Sequence, residues 1–308
     1  MHYVISCREV KMELTYKSLQ DIAEMAENRG MKISEMVLLE QSSQLECSKQ
    51  EVFDQMKEQY EVMKEAQING QKEDLKSTSG LTGGDAYKIK LAVENGTSLS
   101  GSFLTSALMR ATAISELNAA MGKIVAAPTA GSCGILPAAI LTMQEEKGCK
   151  EEDCVMALIT ASAVGMVIAQ NASVSGAQGG CQAECGAASA MAAAAIVELA
   201  GGTPNQCIHA VAIALKNILG LVCDPVAGLV EIPCIKRNAS GVANAIVAAE
   251  LAHCGIKSAI PADEVIDAMR RVGDKMDVSL RETADGGLAT CPTAERLCRK
   301  VFACKEVN

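Results

Sequence analysis

The sequence predicts a mainly α-helical fold, on three observations. Aromatic residues make up only 2 % of the 308 residues and Trp is absent, while Ala and Gly are abundant, a composition suited to helices packed close together. No sustained alternation of β-branched residues and no Asn-Gly hairpin between apolar runs is present, so strand signals are weak throughout. Apolar residues instead recur at helical spacing between Gly- and Pro-rich breaks. Hydrophobic residues at 49 % and charged residues at 21 % place the chain among globular proteins.

The elements follow in order. Residues 1 to about 75 are charged and helix-prone. Ser48-Lys-Gln-Glu51 is a capping box that opens a helix over Val52 to Ile68, with Val52, Met56, Tyr60 and Met63 on one face and Gly70 as its stop. Ser77 to Asp85 is a loop of small and hydroxyl-bearing residues. Helix returns from Phe103 to Met121, and Ala127 to Pro137 forms a Gly-rich loop leading into another apolar helix. Glu152 to Ile168 reads as a buried helix, Asn171 to Gly180 as a second Gly/Ser loop, and Glu184 to Leu199 as an Ala-rich helix ended by Gly201-Gly202. Ile208 to Leu219 is the next helix. Cys223 to Gly228 is a turn, and Pro233 to Asn238 leads into a helix over Val242 to His253. Pro261 and Gly273 bracket a short amphipathic helix near the end. Residues 1–75 are expected as an outer helical layer on a helical core over 76–308, the whole forming one continuous domain.

Composition narrows the function. A net charge of −9 with no basic patch argues against nucleic-acid binding. The N-terminus, Met1 to Arg8, has no charged lead before an apolar core, so no signal peptide is expected and the cytoplasm is the expected location. The uncharged run Cys154 to Ala183 is long enough to span a bilayer. Gln170, Asn171, Ser173, Ser175 and Gln178 interrupt it, and a buried helix followed by a polar loop is the expected outcome, with no membrane contact.

Fourteen cysteines without an export signal are expected as reduced thiols, most of them small buried hydrophobes. Cys181 and Cys185, four apart on a helix, face the same way and suit two metal ligands, but a buried Cys fits this Ala-rich helix without any metal. No Cys-x-x-Cys occurs, so ferredoxin and zinc-ribbon spacings are absent. His2, His209 and His253 sit in no metalloprotease pattern. Cys133, Cys181, Cys223 and Cys234 fall in Gly- or Pro-interrupted loops, which expose backbone N–H groups and let the chain approach an anion or inorganic cluster. Three thiolates around a 4Fe–4S cube would leave one iron open as a Lewis acid. The same loops admit pyridoxal phosphate, yet neither Lys123 nor Lys216 sits in a recognisable pyridoxal-lysine context. A dinucleotide reading of Gly176 to Gly180 lacks the strand that should precede it.

Three long motifs carry a resemblance: Ala127-Pro-Thr-Ala-Gly-Ser-Cys-Gly-Ile-Leu-Pro-Ala138, Asn171-Ala-Ser-Val-Ser-Gly-Ala-Gln-Gly-Gly-Cys-Gln182, and Cys223-Asp-Pro-Val-Ala-Gly228 with Ile232-Pro-Cys-Ile-Lys-Arg-Asn238. With Ser79 to Tyr87 and Glu282 to Leu288, they resemble the α chain of the iron–sulfur-dependent L-serine dehydratases over roughly residues 15 to 300. The resemblance implies a 4Fe–4S cluster held by Cys181, Cys223 and Cys234, which leaves Cys185 a packing role. It implies a lyase of amino-acid catabolism and gluconeogenesis that eliminates water from L-serine to give pyruvate and ammonia, and a separate β subunit as partner. Hydroxyls and amides of Thr129, Ser132, Asn171, Ser173 and Ser175 are the candidate substrate contacts, with loop-internal hydrogen bonding as the alternative. The general base is unassigned. Two features depart from the pattern: the start through about Glu9, and Cys291 in the tail. Cys291 is a candidate fourth cluster ligand, and a purely structural Cys298 or Cys304 fits the pattern equally well. A cysteine desulfidase using the same cluster chemistry is the nearest rival, and a non-catalytic iron–sulfur protein the next.

Overall fold

The structure is a computed structural model that describes residues 16–302. The atypical start at Met1–Glu9, His2 and Cys304 lie outside the described residues. The described residues form thirteen α-helices and no strand, with one isolated bridge between Cys223 and Arg281. The mainly helical expectation holds.

The helices are α1 (Leu19–Asn28), α2 (Ile33–Gln44), α3 (Lys49–Asn69), α4 (Asp85–Glu94), α5 (Gly101–Ala119), α6 (Ile135–Lys147) and α7 (Glu151–Asn171). After the short α8 (Gly176–Gly179) come α9 (Ala187–Leu199), α10 (Pro204–Lys216), α11 (Cys234–His253), α12 (Ala262–Lys275) and α13 (Pro292–Phe302). Capping chemistry sets several of the starts. Ser48 accepts the N–H of Glu51 and Glu51 accepts that of Ser48, the reciprocal box expected for α3. Thr203 and Gln206 do the same for α10, with Pro204 at its first position.

The centre of the molecule is α9. Every residue from Ala187 to Glu198 is buried, and α7, α10, α11 and α6 surround it. A helix apolar on all sides must be enclosed in this way, and its Ala side chains let the neighbouring backbones approach closely. The first three helices lie around this centre, α1 against α10 and α12, α2 against α7, and α3 against α5 and α7. The uncharged run is realised as α7, the one described helix long and apolar enough to cross a bilayer. Within the fold, 67 % of its most apolar window is buried. At the far end of α9, the Glu198 carboxylate accepts Thr160 Oγ1 at 2.7 Å and the Ser34 N–H at 3.2 Å. A buried acid thereby satisfies a donor at the N-terminus of α2.

Where α3 ends, Gly70 meets the backbone of α5. A Cβ there would lie 2.0 Å from the Ala113 carbonyl oxygen, with no flexible atom to yield. Gly70→Ala is therefore expected to cost about 2–3 kcal/mol, read as a lower urea midpoint at unchanged slope.

Helices α4 and α13 were not expected, α10 starts at Pro204 rather than at Ile208, and two further boundaries differ beside the thiols. Helix α11 starts at Cys234 rather than at Val242. Asn238, Ser240 and Gly241 are weak helix formers, but Asn238 is tied down by side-chain bonds and Gly241 is needed where α11 crosses Ile135, 2.4 Å from an added Cβ. The segment expected as helix from Glu184 begins as a π turn over Gln182–Gly186 before α9 proper. Single π turns are frequent at functional sites.

Candidate functional site

The π turn places the first thiol. Gly180 precedes it with φ +73, and a Cβ there would collide with Met276 Sδ at 2.5 Å, so only glycine serves. Gln182, 1 % exposed, then locks the turn from three sides. Its N–H donates to Leu221 O at 2.9 Å, its Oε1 accepts Gly220 N–H at 2.9 Å, and its Nε2 donates to Met269 O at 3.0 Å. The segment before Cys223 is thus drawn against the segment holding Cys181. Cys223 is fixed in turn through its own backbone, donating to Leu280 O and accepting from Glu282 N, both at 2.8 Å. Cys234 opens α11.

Four thiols meet here. Cys181, Cys185 and Cys223 are 3 %, 2 % and 4 % exposed, while Cys234 is partly exposed. The sulfurs of Cys181 and Cys185 are 3.4 Å apart. Hydrogen bonds from Cys185 and then Cys223 hold the Cys181 thiol well below its ordinary range, and the Arg237 guanidinium adds to this. Its neighbours move the other way. Cys185 and Cys223 are pushed up, chiefly as donors to Cys181, and burial raises Cys234 to about 12. The charge thus sits on Cys181, which accepts from Cys185 and Cys223.

Arg237 links the segments that carry the three expected ligands. Its Nη1 donates to Val222 O at 2.8 Å, its Nη2 pairs with Asp224 Oδ1 at 2.9 Å, and it donates to the Cys181 sulfur. Asp224 Oδ2 also accepts the Leu288 N–H at 2.8 Å, docking the 287–290 turn on the same strut. One turn after Cys234, Asn238 Nδ2 donates to Gly131 O at 2.7 Å and its Oδ1 accepts Gly134 N–H at 2.8 Å, which brings in the 129–134 loop.

Into this pocket projects a carboxylate. Glu184 Oε1 accepts the Thr129 hydroxyl at 2.7 Å. An added Cβ on Gly131 would lie 3.0 Å from the same oxygen, and one on Gly176 would lie 2.9 Å from Oε2 and 3.1 Å from Cys223 Sγ. Glycines from both Gly-rich loops therefore admit the carboxylate, with Oε2 toward Cys223. Burial raises the Glu184 acid to about 7, against the lowering effect of Thr129.

The expected substrate contacts divide. Thr129 reaches the pocket and bonds Glu184, and Ser132 lies behind it, 3.2 Å from the Thr129 hydroxyl. Asn171 is exposed and donates to Lys17 O at 2.9 Å, away from the thiols. Ser173 donates to Gln178 Oε1 and accepts the Ser175 N–H, bonding within its own loop, and Ser175 stands at the pocket's edge beside Gly176. Cys291 ends the 287–290 turn that docks on Asp224, and its carbonyl accepts the Glu295 N–H at the start of α13. Cys133 packs in a small apolar cluster with Ile114 and Leu117, its thiol raised to about 12 by burial.

Glu184, Arg237, Asp224 and Asn238 were not singled out in the sequence. One signal was available for Glu184, which is the only charged residue between Asp153 and Glu198. A lone charge inside an apolar stretch must have a local reason.

Among the described residues, no group of three or more His, Cys, Asp or Glu side chains is gathered as a site for a metal ion. The donor chemistry of the pocket nevertheless fits an iron–sulfur group: four soft sulfur donors, mostly shielded from water, with one thiolate stabilised by an arginine.

Comparison with known proteins shows the family. A family profile described as serine dehydratase alpha chain matches residues 28–289. The chain is 49 % identical over 287 residues to a probable L-serine dehydratase, alpha chain, of Bacillus subtilis, covering 93 % of this chain and 95 % of that one. It is 42 % identical over 290 residues to the L-serine dehydratase, alpha chain, of Peptoniphilus asaccharolyticus, covering 91 % and 96 %. A longer L-serine dehydratase of Streptomyces coelicolor is 46 % identical over 181 residues, which are 58 % of this chain and 40 % of that protein. With the match covering most of its length, the chain belongs to the serine dehydratase alpha chain family.

Proposed function

We propose that the chain is the catalytic subunit of an L-serine dehydratase, eliminating water from L-serine to yield pyruvate and ammonia, and that it works with a separate β chain. The observation that carries this reading is the convergence of Cys181, Cys223 and Cys234 with the Glu184 carboxylate in one pocket. Cys181, Cys223 and Cys234 would hold a 4Fe–4S cluster. When bound, such a cluster supplies an open iron, a Lewis acid toward the substrate hydroxyl. Naming of relatives as alpha chains supports the β partner.

The chain's own residues account for the remaining chemistry. Glu184 Oε2 carries no hydrogen bond among the described residues, whereas Oε1 is held by Thr129. Oε2 is therefore the atom that takes the Cα proton of serine. As that proton leaves, the Cβ–O bond breaks and the departing hydroxide takes up the proton held on Glu184 to leave as water. This gives 2-aminoacrylate, which tautomerises to the imine and is hydrolysed by water to pyruvate and ammonium. A carboxylic acid that titrates near 7 suits a base at neutral pH. Arg237 positions the Cys181 sulfur and, through Val222 and Asp224, both flanks of Cys223. The buried faces of α9 and α11 keep water from the thiols on the inner side.

The test is pyruvate release by the anaerobically purified α/β complex, with L-serine and L-cysteine compared. Turnover of L-serine with water as the leaving group is the expected result. Sulfide release from L-cysteine with no activity on L-serine would make the protein a desulfidase. A brown protein inactive on both would be a non-catalytic iron–sulfur carrier.

A further inference from the structure

The loop Ser77–Asp85 is built with care, yet nothing in the elimination step uses it. Two carboxylates clamp it. Glu231, 5 % exposed, accepts the hydroxyls of Ser79 at 3.0 Å and Thr82 at 2.7 Å through one oxygen. Glu116, 1 % exposed, accepts the N–H groups of Asp85 at 2.9 Å and Ala86 at 3.1 Å. Gly80, Gly83 and Gly84 all have positive φ. Gly83 is pressed so closely on its neighbours that an added Cβ would lie 2.1 Å from Leu75 O and 2.8 Å from Lys76 Cα. Burying two acids to fix a surface loop costs stability, and positive φ at the three glycines sets a shape other residues would not adopt, which points to a function for that shape.

What the loop shapes is a cavity of about 580 Å³, closed on its other side by Ile232, Pro233 and Lys236. Lys76, Lys88, Lys236 and Asp85 furnish its charge. Asp85 pairs with Lys88 at 2.9 Å and with Lys236, while Lys76 has no ion-pair partner among the described residues. Glu116 and Glu231 behind the loop already accept the donors that hold it. The cavity therefore presents cations beside one carboxylate, the complement of a zwitterion. It also lies next to the site. Pro233 lines it, the following residue is Cys234, and Cys234 is the only one of the four converging thiols that is partly exposed.

We propose that this cavity seats the charged end of a free α-amino acid, with Lys76 and Lys236 facing its α-carboxylate and Asp85 its α-ammonium, while its β-carbon reaches toward Cys234. This deepens the dehydratase reading and rests on it for the identity of the amino acid. It also moves substrate recognition from the Asn171–Ser175 loop, whose polar groups bond among themselves or to Lys17, to the Ser77–Asp85 loop, which pairs with Lys236 of α11.

The test compares Lys76→Met, Lys76→Arg and Asp85→Asn in the α/β complex. KM for L-serine is expected to rise about tenfold to a hundredfold in Lys76→Met and Asp85→Asn, with kcat within a fewfold, since a charged hydrogen bond made equally in ground and transition states is lost. Lys76→Arg should keep most of the affinity. The wild type should prefer L-serine over L-serinamide, which lacks the carboxylate, and Lys76→Met should narrow that preference. Iron and sulfide content should not change in any variant. Calorimetric titration of L-serine into the complex carrying Glu184→Gln, alone and combined with each cavity variant, reads binding with turnover suppressed, so the cavity is tested even if the dehydratase reading fails. Unchanged KM and unchanged binding in both Lys76→Met and Asp85→Asn would overturn the proposal. So would weakened assembly with the β chain at unaltered serine affinity, which would make the cavity a partner contact.

Discussion

Cys223→Ala is expected to give a folded chain that no longer retains iron or acid-labile sulfide. The two properties separate because different atoms serve them. The backbone of Cys223 is held on both sides, by Leu280 and Glu282, independently of its sulfur. The next residue, Asp224, remains anchored on Arg237 and Leu288. Removing one sulfur from a packed interior costs about 1 kcal/mol, well within the stability of a domain of this size. The proposed cluster, reduced to two of three cysteine ligands, would lose a strong covalent anchor, and the opened site would admit water and oxidants.

Cys185→Ala is the informative companion. Its sulfur is 3.4 Å from that of Cys181, so contact distance alone would make it a ligand. The family motifs assign it to packing, and iron content should survive its loss. Iron and sulfide analysis, the visible absorbance of anaerobic protein and circular dichroism decide the matter. Iron lost in Cys185→Ala and kept in Cys223→Ala would reverse the ligand assignment.

This pair of cysteines also shows how far the sequence can be read. Helical spacing placed Cys181 and Cys185 side by side, and they are. The convergence of Cys223 on Cys181 depends on Gln182 bonding three separate segments and on an ion pair from Arg237 to Asp224. No periodicity encodes such long-range bonds, and only the ordered family motifs pointed to them. The helical class was legible from composition because a core of Ala and Gly leaves few other architectures. The start of α11 was not, because local propensity at Asn238 to Gly241 is overridden by tertiary contacts. The candidate hydroxyls were placed only in part. Thr129 reaches the pocket, with Ser132 behind it, because Asn238 ties their loop to α11, whereas Ser173 satisfies itself locally.

Glu184→Gln is expected to lower kcat by roughly 10²–10⁴-fold while leaving iron content and folding unchanged, the range a lost general base commands. Gln keeps the shape of the side chain and can still accept the Thr129 hydroxyl, so the change removes proton affinity rather than packing. The pH dependence carries the argument further. The wild-type acid lies near 7 because burial disfavours its charged form. A base must be ionised to act, so kcat should fall as pH drops through about 7, and this acid limb should vanish in Glu184→Gln. Thr129 donates to the carboxylate and favours its charged form. Thr129→Val should therefore raise the Glu184 pKa and move the acid limb to higher pH, with the plateau rate less affected than in Glu184→Gln. Solvent exchange of the Cα hydrogen of L-serine, followed by mass spectrometry in deuterated buffer, separates proton abstraction from later steps. Exchange that persists at the wild-type rate in Glu184→Gln, or an acid limb that stays in place in Thr129→Val, would assign the proton to another group and leave Glu184 a strut between the two glycine loops.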